Sequence, residues 1–255
     1  PLALAEADLM AAPTDQTLCE IRALNGDDVQ LVFCSSRSFE ESFTLERNTS
    51  PAVMAAVDQA VQGYDRLVAY KQQWIQAFDV ITFRPSLDRV EIALDLNSRG
   101  ASFDGSALSL KLLAATKQVL SAIAPIYTGQ LPMNLFPAIG EIYKSRGSSE
   151  LNIIDANFRT PSGAINRGKM PSTEEDLREE PFHKSGAEAV KKEIRVGGIV
   201  VAWTFKYPPG KAKTKLWTRL SVAAGKDPML TDMELSDASR DGDVAQACTK
   251  IVKYL

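Results

Sequence analysis

A single histidine in 255 residues removes a whole class of chemistry at the outset. No site built on two imidazole ligands can be assembled from one chain, and His183 is left as the one candidate imidazole base. Cysteine is almost as sparse, since Cys19, Cys34 and Cys248 form an odd set without close spacing. That excludes a disulfide framework and a zinc knuckle. It predicts free thiols and an intracellular, reducing compartment, the cytoplasm first among them. Cys19 and Cys34 can face each other across a hairpin, but buried free thiols are the expected state. Long apolar runs are missing too. Breaks such as Thr49-Ser50-Pro51 interrupt each one well short of the roughly 20 residues needed to cross a bilayer, so no transmembrane helix is predicted. The opening PLALAEADLMAA is mildly apolar but has no basic leader before it, and is not read as a signal peptide.

What remains is the composition of a soluble globular protein, with a hydrophobic fraction of 45%, ample for a buried core. The most legible stretch is Ile194 to Val222. Ile199, Val201, Trp203, Phe205 and Tyr207 recur at every second position, which turns them to one face of a strand. Pro208-Pro209-Gly210 then reads as a turn, because proline cannot donate to a ladder and glycine tolerates a reversal. On the return, Leu216, Thr218, Leu220 and Val222 form one alternating set, and Lys211, Lys213, Lys215, Trp217 and Arg219 the other. With the apolar sets inward, Lys206, Lys213, Lys215 and Arg219 stand together on the outer side with Trp217 among them.

Upstream, residues 17–24 and 29–35 flank Asn25-Gly26-Asp27-Asp28, a strong hairpin signal. Phe39, Glu41, Phe43 and Leu45 alternate as a third strand. Ser50-Pro51 then opens a predicted helix, with Val53, Val57, Val61, Tyr64, Val68, Ile75 and Phe78 at helical spacing. Residues 79–83 and 89–96 predict a second hairpin, and Ala107 to Ala124 a second amphipathic helix ended by Pro125. Between Tyr127 and Lys192 the periodicity weakens, leaving a short helix near Ala138 to Ser145 and a capping-box spacing at Ser172 and Glu175. A short helix carrying Val244, Cys248 and Ile251 closes the chain. The order predicts a single α+β domain over 1–255. Its antiparallel sheet is built from hairpins and packed against two longer amphipathic helices and a short C-terminal helix. It subdivides into 14–126, an irregular, basic, partly helical insertion at 127–193, and 194–255.

Charge is unevenly placed. Residues 1–142 hold 10 Lys and Arg against 17 Asp and Glu, whereas residues 143–222 hold 15 against 9, a surplus of six cations. A basic middle predicts a local anionic partner, or contact with the acidic part of another copy. Several motifs approach a chemistry and fall short of it. Gly163 to Lys169 matches GxxxxGK, but Met170 replaces the hydroxyl that would bind magnesium and Pro171 obstructs the following helix. A bare anion site from Arg159, Arg167 and Lys169 asks less, only convergent charge. Asp237-x-Ser239-x-Asp241-Gly242-Asp243 resembles half a calcium loop, but Cys248 occupies the place of the bidentate Glu, and an aspartate at the start of the last helix is the simpler role. His183 has no GxSxG nucleophile turn to serve. Asp95, Asp104, Asp155, Glu179 and Glu180 lack the acidic-x-Lys spacing of the commonest nuclease pattern.

The sequence therefore predicts a non-enzymatic binding or assembly protein, with neither cofactor nor metal ion. Lys206, Lys211, Lys213, Lys215, Trp217 and Arg219, with Arg159, Arg167 and Lys169 nearby, would contact a polyanion, either nucleic acid or an acidic protein surface. Two alternatives stand beside it: a self-assembling scaffold with acidic-to-basic subunit contacts, and a hydrolase or nuclease using His183 or carboxylates.

Overall fold

A left-handed backbone at Gly26, φ 74°, turns the chain between β1 (Thr17–Ala23) and β2 (Val29–Glu46), and Leu24 N closes the turn on Asp28 O at 2.9 Å. The computed structural model describes residues 4–24, 26–46, 66–95, 114, 132–145, 149–189, 194–206, 208–217 and 228–255. The chain divides into two units, Pro1–Gln130 and Leu131–Leu255, each with its own antiparallel sheet.

In the first unit the sheet order is β1-β2-β3-β4, with β3 at Arg66–Arg84 and β4 at Arg89–Ala93. A 3-10 turn over Pro85–Leu87 and a left-handed Asp88, φ 45°, join the last two. Leu31, Phe33 and Ile81 form the buried centre, with Phe83, Val90 and Leu94 packed against it. At the end of this apolar stripe Arg37 pairs with Asp79, their side chains 6% and 0% exposed. Asp79 also accepts from Gln16 Nε2 at 2.6 Å and Asp95 N at 3.0 Å, which supplies the hydrogen bonds that a buried carboxyl needs. A short helix, α1 (Glu6–Ala11), is tied to β2 by Ser36 Oγ, which donates to Leu9 O at 2.6 Å.

Among the described residues the two longer helices are not seen. Residues 51–65 of the first expected helix lie outside the described set, and its remainder belongs to β3, paired with β2 without a break from Val29↔Phe83 to Glu46↔Arg66. Val68, Ile75 and Phe78 fit a helical spacing, yet Val68, Tyr70, Trp74 and Phe78 also fall on alternate positions. Pairing with β2 decides between the two periods, because the ladder satisfies the backbone groups of the whole run, even where Val68 and Tyr70 stay exposed. Of the second expected helix, 107–124, only Ala114 is described, and it is helical. Among the described residues the longest helix has 12 residues, so an α+β fold stands, dominated by its sheets.

The second unit has sheet order β6-β5-β7-β8-β9: β5 Leu151–Arg159, β6 Ile165–Lys169, β7 Arg195–Lys206, β8 Pro209–Trp217 and β9 Glu234–Ser236. The stretch expected to be irregular thus contains two strands. A bulge between Ile153 and Asp155 hides β5 from a period-two reading: Leu151 and Ile153 are buried before it, Ala156 after it. Lys206 pairs directly with Pro209, so Pro209 and Gly210 begin β8 and are not part of the turn.

Ile199, Val201, Trp203 and Phe205 turn inward as their alternation predicts, at 4% exposure or less, and Trp203 Nε1 donates to the buried Thr214 Oγ1 at 2.9 Å. Two helices cover this face, α2 (Phe136–Lys144) through Ala138, Ile139 and Ile142, and the C-terminal α4 (Asp241–Val252) through Ala247 and Ile251. Ile139, Ile142 and Ile251 each contribute about 1.5–3 kcal/mol by leaving water. The carbonyls that end α2 are capped by the buried Arg178, which donates to Ile142 O at 3.2 Å and also to Ser145 O. Between these elements α3 (Pro181–Ala189) carries His183 inward.

Candidate functional site

Strand register places the basic residues. Even-numbered residues of β7, from Val200 to Lys206, face away from the core, and opposite them on β8 lie Lys215, Lys213, Lys211 and Pro209. On the other side of β7, Val200 faces Asp155, which faces Lys169 on β6. One row therefore crosses all five strands: Lys169, Asp155, Val200, Lys215 and Glu234. Arg167 and Arg159 follow on the same side, at alternate positions from Lys169 and Asp155. At about 4.8 Å per strand, Lys169 and Lys215 are about 14 Å apart along that row. The sheet thus brings Arg159, Arg167 and Lys169 onto the face that carries Lys206, Lys211, Lys213 and Lys215. Trp217 lies in β8 at the register position opposite Gly198, and Arg219 falls outside the described residues.

The face is charge-compensated, which the sequence did not disclose. Lys215 Nζ lies 2.6 Å from Glu234, Lys213 Nζ 2.7 Å from Asp237, and Lys211 Nζ 3.4 Å from Glu174. Arg167 grips Asp155 with two bonds, 2.9 and 2.6 Å, and Asp155 in turn raises the affinity of that guanidinium for its proton. Arg159 Nε donates to Gly163 O at 3.3 Å. Lys169 has no ion-pair partner among the described residues. Lys206 lies near Glu150, whose carboxyl is held below its ordinary value chiefly by Lys250. The acidic run from Asp232 to Asp237 was a signal for this compensation. Its place beside β8 was not readable, because a three-residue strand at a sheet edge has no period to read.

The other candidate motifs are occupied by structural work. The GxxxxGK stretch is a β-hairpin: Thr160 N donates to Ala164 O at 3.0 Å, Gly163 has φ 90°, and residues 165–169 continue as β6. No helix follows it to aim amides at a phosphate. In the calcium-like stretch Asp237 faces Lys213, while Asp243 is fully buried and accepts from Arg240 and from Ser239 Oγ. That bonding holds the Asp243 carboxyl below its ordinary value, with Arg240 the main cause.

His183 is 7% exposed, its Nε2 lies 2.7 Å from Tyr143 Oη, and its ring packs edge-on against Phe158 at 5.1 Å between centroids. Of the carboxylates grouped with it, Asp104 lies outside the described residues, Asp95 belongs to the first unit, and Asp155 is held by Arg167. Glu180 accepts from the backbone of Phe182 and His183 at 3.1 and 2.6 Å. Glu179 pairs with Lys184 at 3.2 Å. Among the described residues no three His, Cys, Asp or Glu side chains converge as a metal-holding group, and no helix is long and apolar enough to cross a membrane. Comparison of the chain with protein-family models, with curated proteins and with solved structures returned no match.

Proposed function

We propose that this protein is a binding module that docks a polyanion on the outer face of its second sheet. The observation that carries the reading is the register itself, which puts Arg159, Arg167, Lys169, Lys206, Lys211, Lys213 and Lys215 on one face, where they outnumber Glu150, Asp155, Glu174, Glu234 and Asp237. The compensating pairs do not oppose this. Exposed ion pairs are worth at most about 1 kcal/mol, so a partner's phosphates or carboxylates can displace Glu174, Glu234 and Asp237 at little cost. Displaced carboxylates also act as a filter, since an anion too weak or too sparse does not exchange with them.

The test is anisotropy titration of labelled single-stranded RNA, DNA and heparin across a salt series. Binding should weaken linearly in log–log form, and Lys169→Glu combined with Lys215→Glu should reduce both the affinity and the salt slope. Glu234→Gln should tighten binding, by up to about fivefold, because it frees Lys215 without adding charge of its own. Absent binding, or binding indifferent to salt and to these substitutions, removes the reading.

A further inference from the structure

The hairpin of β2 and β3 outruns its sheet. β1 covers the outer edge of β2 only from Val29 to Cys34, and β4 covers β3 only from Val80 to Arg84. Among the described residues, Ser35 to Glu46 and Arg66 to Ala77 therefore form a two-stranded ribbon about 40 Å long. Such a ribbon is marginal by itself in water; among the described residues no further strand pairs with its outer rows, although Ser36 N on the β2 side donates to Pro13 O at 3.0 Å.

The direction of those groups follows from two bonds. Cys19 Sγ reaches Val32 O from the β1 side, and Phe78 N donates to Asp95 Oδ2, so even-numbered residues of both strands point their backbone away from the shared ladder. On β3 the row that no strand pairs with among the described residues is Val68, Tyr70, Gln72 and Trp74. Tyr70 is 65% exposed and Val68 43%, and Gln72 is exposed. Neither proline nor inward charge blunts this edge, and Lys71 is the one charged residue from Leu67 to Phe78.

We propose that this edge pairs with the same edge of a second copy, joining two first units in one continuous antiparallel sheet. The edge is self-complementary in a register centred on Gln72. That register sets Tyr70 of each copy opposite Trp74 of the other, making two aromatic cross-strand pairs on one face, and Gln72 opposite Gln72. Lys71 then faces Gln73, whereas a register centred on Lys71 would set the two lysines opposite each other. A two-fold axis through Gln72 pairs every outward group from Tyr70 to Trp74 without like charges in contact. The contact uses a different surface from the polyanion face and stands or falls separately.

Sedimentation equilibrium of the full chain tests it. The wild type should show a concentration-dependent doubling of mass. Gln72→Lys and Gln72→Glu should each weaken the dimer by about tenfold or more, since like charges then meet at the axis, and an equimolar mixture of the two should restore it. Both variants alter an exposed side chain, and unchanged circular dichroism with rescue in the mixture separates lost pairing from lost folding. A wild type monomeric at every concentration overturns the proposal, as does a dimer indifferent to either substitution.

Discussion

At Gly210 the absence of a side chain is what lets β8 lie against the start of α4. A Cβ there would sit 2.0 Å from Asp243 Oδ1 and 2.5 Å from Arg240 Nη2, and Arg240 also donates to Pro209 O. Gly210→Ala should therefore cost about 1–3 kcal/mol, read as a lower urea midpoint at unchanged m. An equal loss at Gly140, whose added Cβ would meet nothing within 4 Å, would show that the effect is not overpacking. Trp203 and Thr214 make the matching case inside the core. Thr214→Val leaves the indole N–H buried without an acceptor and should cost about 1–3 kcal/mol, while adding Trp203→Phe should recover part of that loss. A double-mutant cycle with zero coupling would mean that the 2.9 Å bond contributes nothing.

Among the elements, α3 owes its first turn to Glu180, whose carboxyl is held below its ordinary value first by the backbone N–H of His183 and then by that of Phe182. A depressed carboxylate stabilises the fold above the ordinary value, and the benefit fades as pH falls through the lowered one. Glu180→Gln should thus lower Tm by a constant amount above about pH 5 and converge on the wild type in acid, as thermal scans across pH would show. Equal differences at all pH values would assign the effect to shape. The same scale shows what can be read from sequence. β7 is legible because its inward side chains alternate without a fault from Ile199 to Phe205. β5 is not, because the bulge at Ile153/Asp155 shifts its phase midway. In β3 both periods fit part of the run, and the partner that decides, β2, is remote in sequence. The site divides likewise: the lysines on one side of β8 follow from alternation, whereas Glu174, Glu234 and Asp237 reach them through tertiary contacts without local periodicity.

At the scale of the whole molecule, the two buried clusters have no residue in common among the described residues. One is built from Leu31, Phe33 and Ile81 with their neighbours, the other runs from Leu135 to Ile251. Ile81→Ala and Ile199→Ala, both at fully buried positions, should each cost about 2–5 kcal/mol. In calorimetry each should lower a different transition, and a single transition lowered equally by both would show that the units unfold together.

The second core also has an order built into its making. Asn134 Oδ1 accepts from Leu230 N at 3.0 Å, Leu135 N donates to Leu230 O at 2.7 Å, and Ala247 and Ile251 complete the packing beside α2. On a ribosome, then, residues 17–93 can close their sheet while synthesis continues, and α2 can seat Ile139 and Ile142 on β7 once residue 206 has emerged, but the rest of that face stays uncovered until Leu230, Ala247 and Ile251 follow. In that interval the apolar faces of β5 and β7 are the surfaces a chaperone would meet. Stalled chains ending before residue 228 should accordingly be cut by protease within the second unit and spared within the strands of the first.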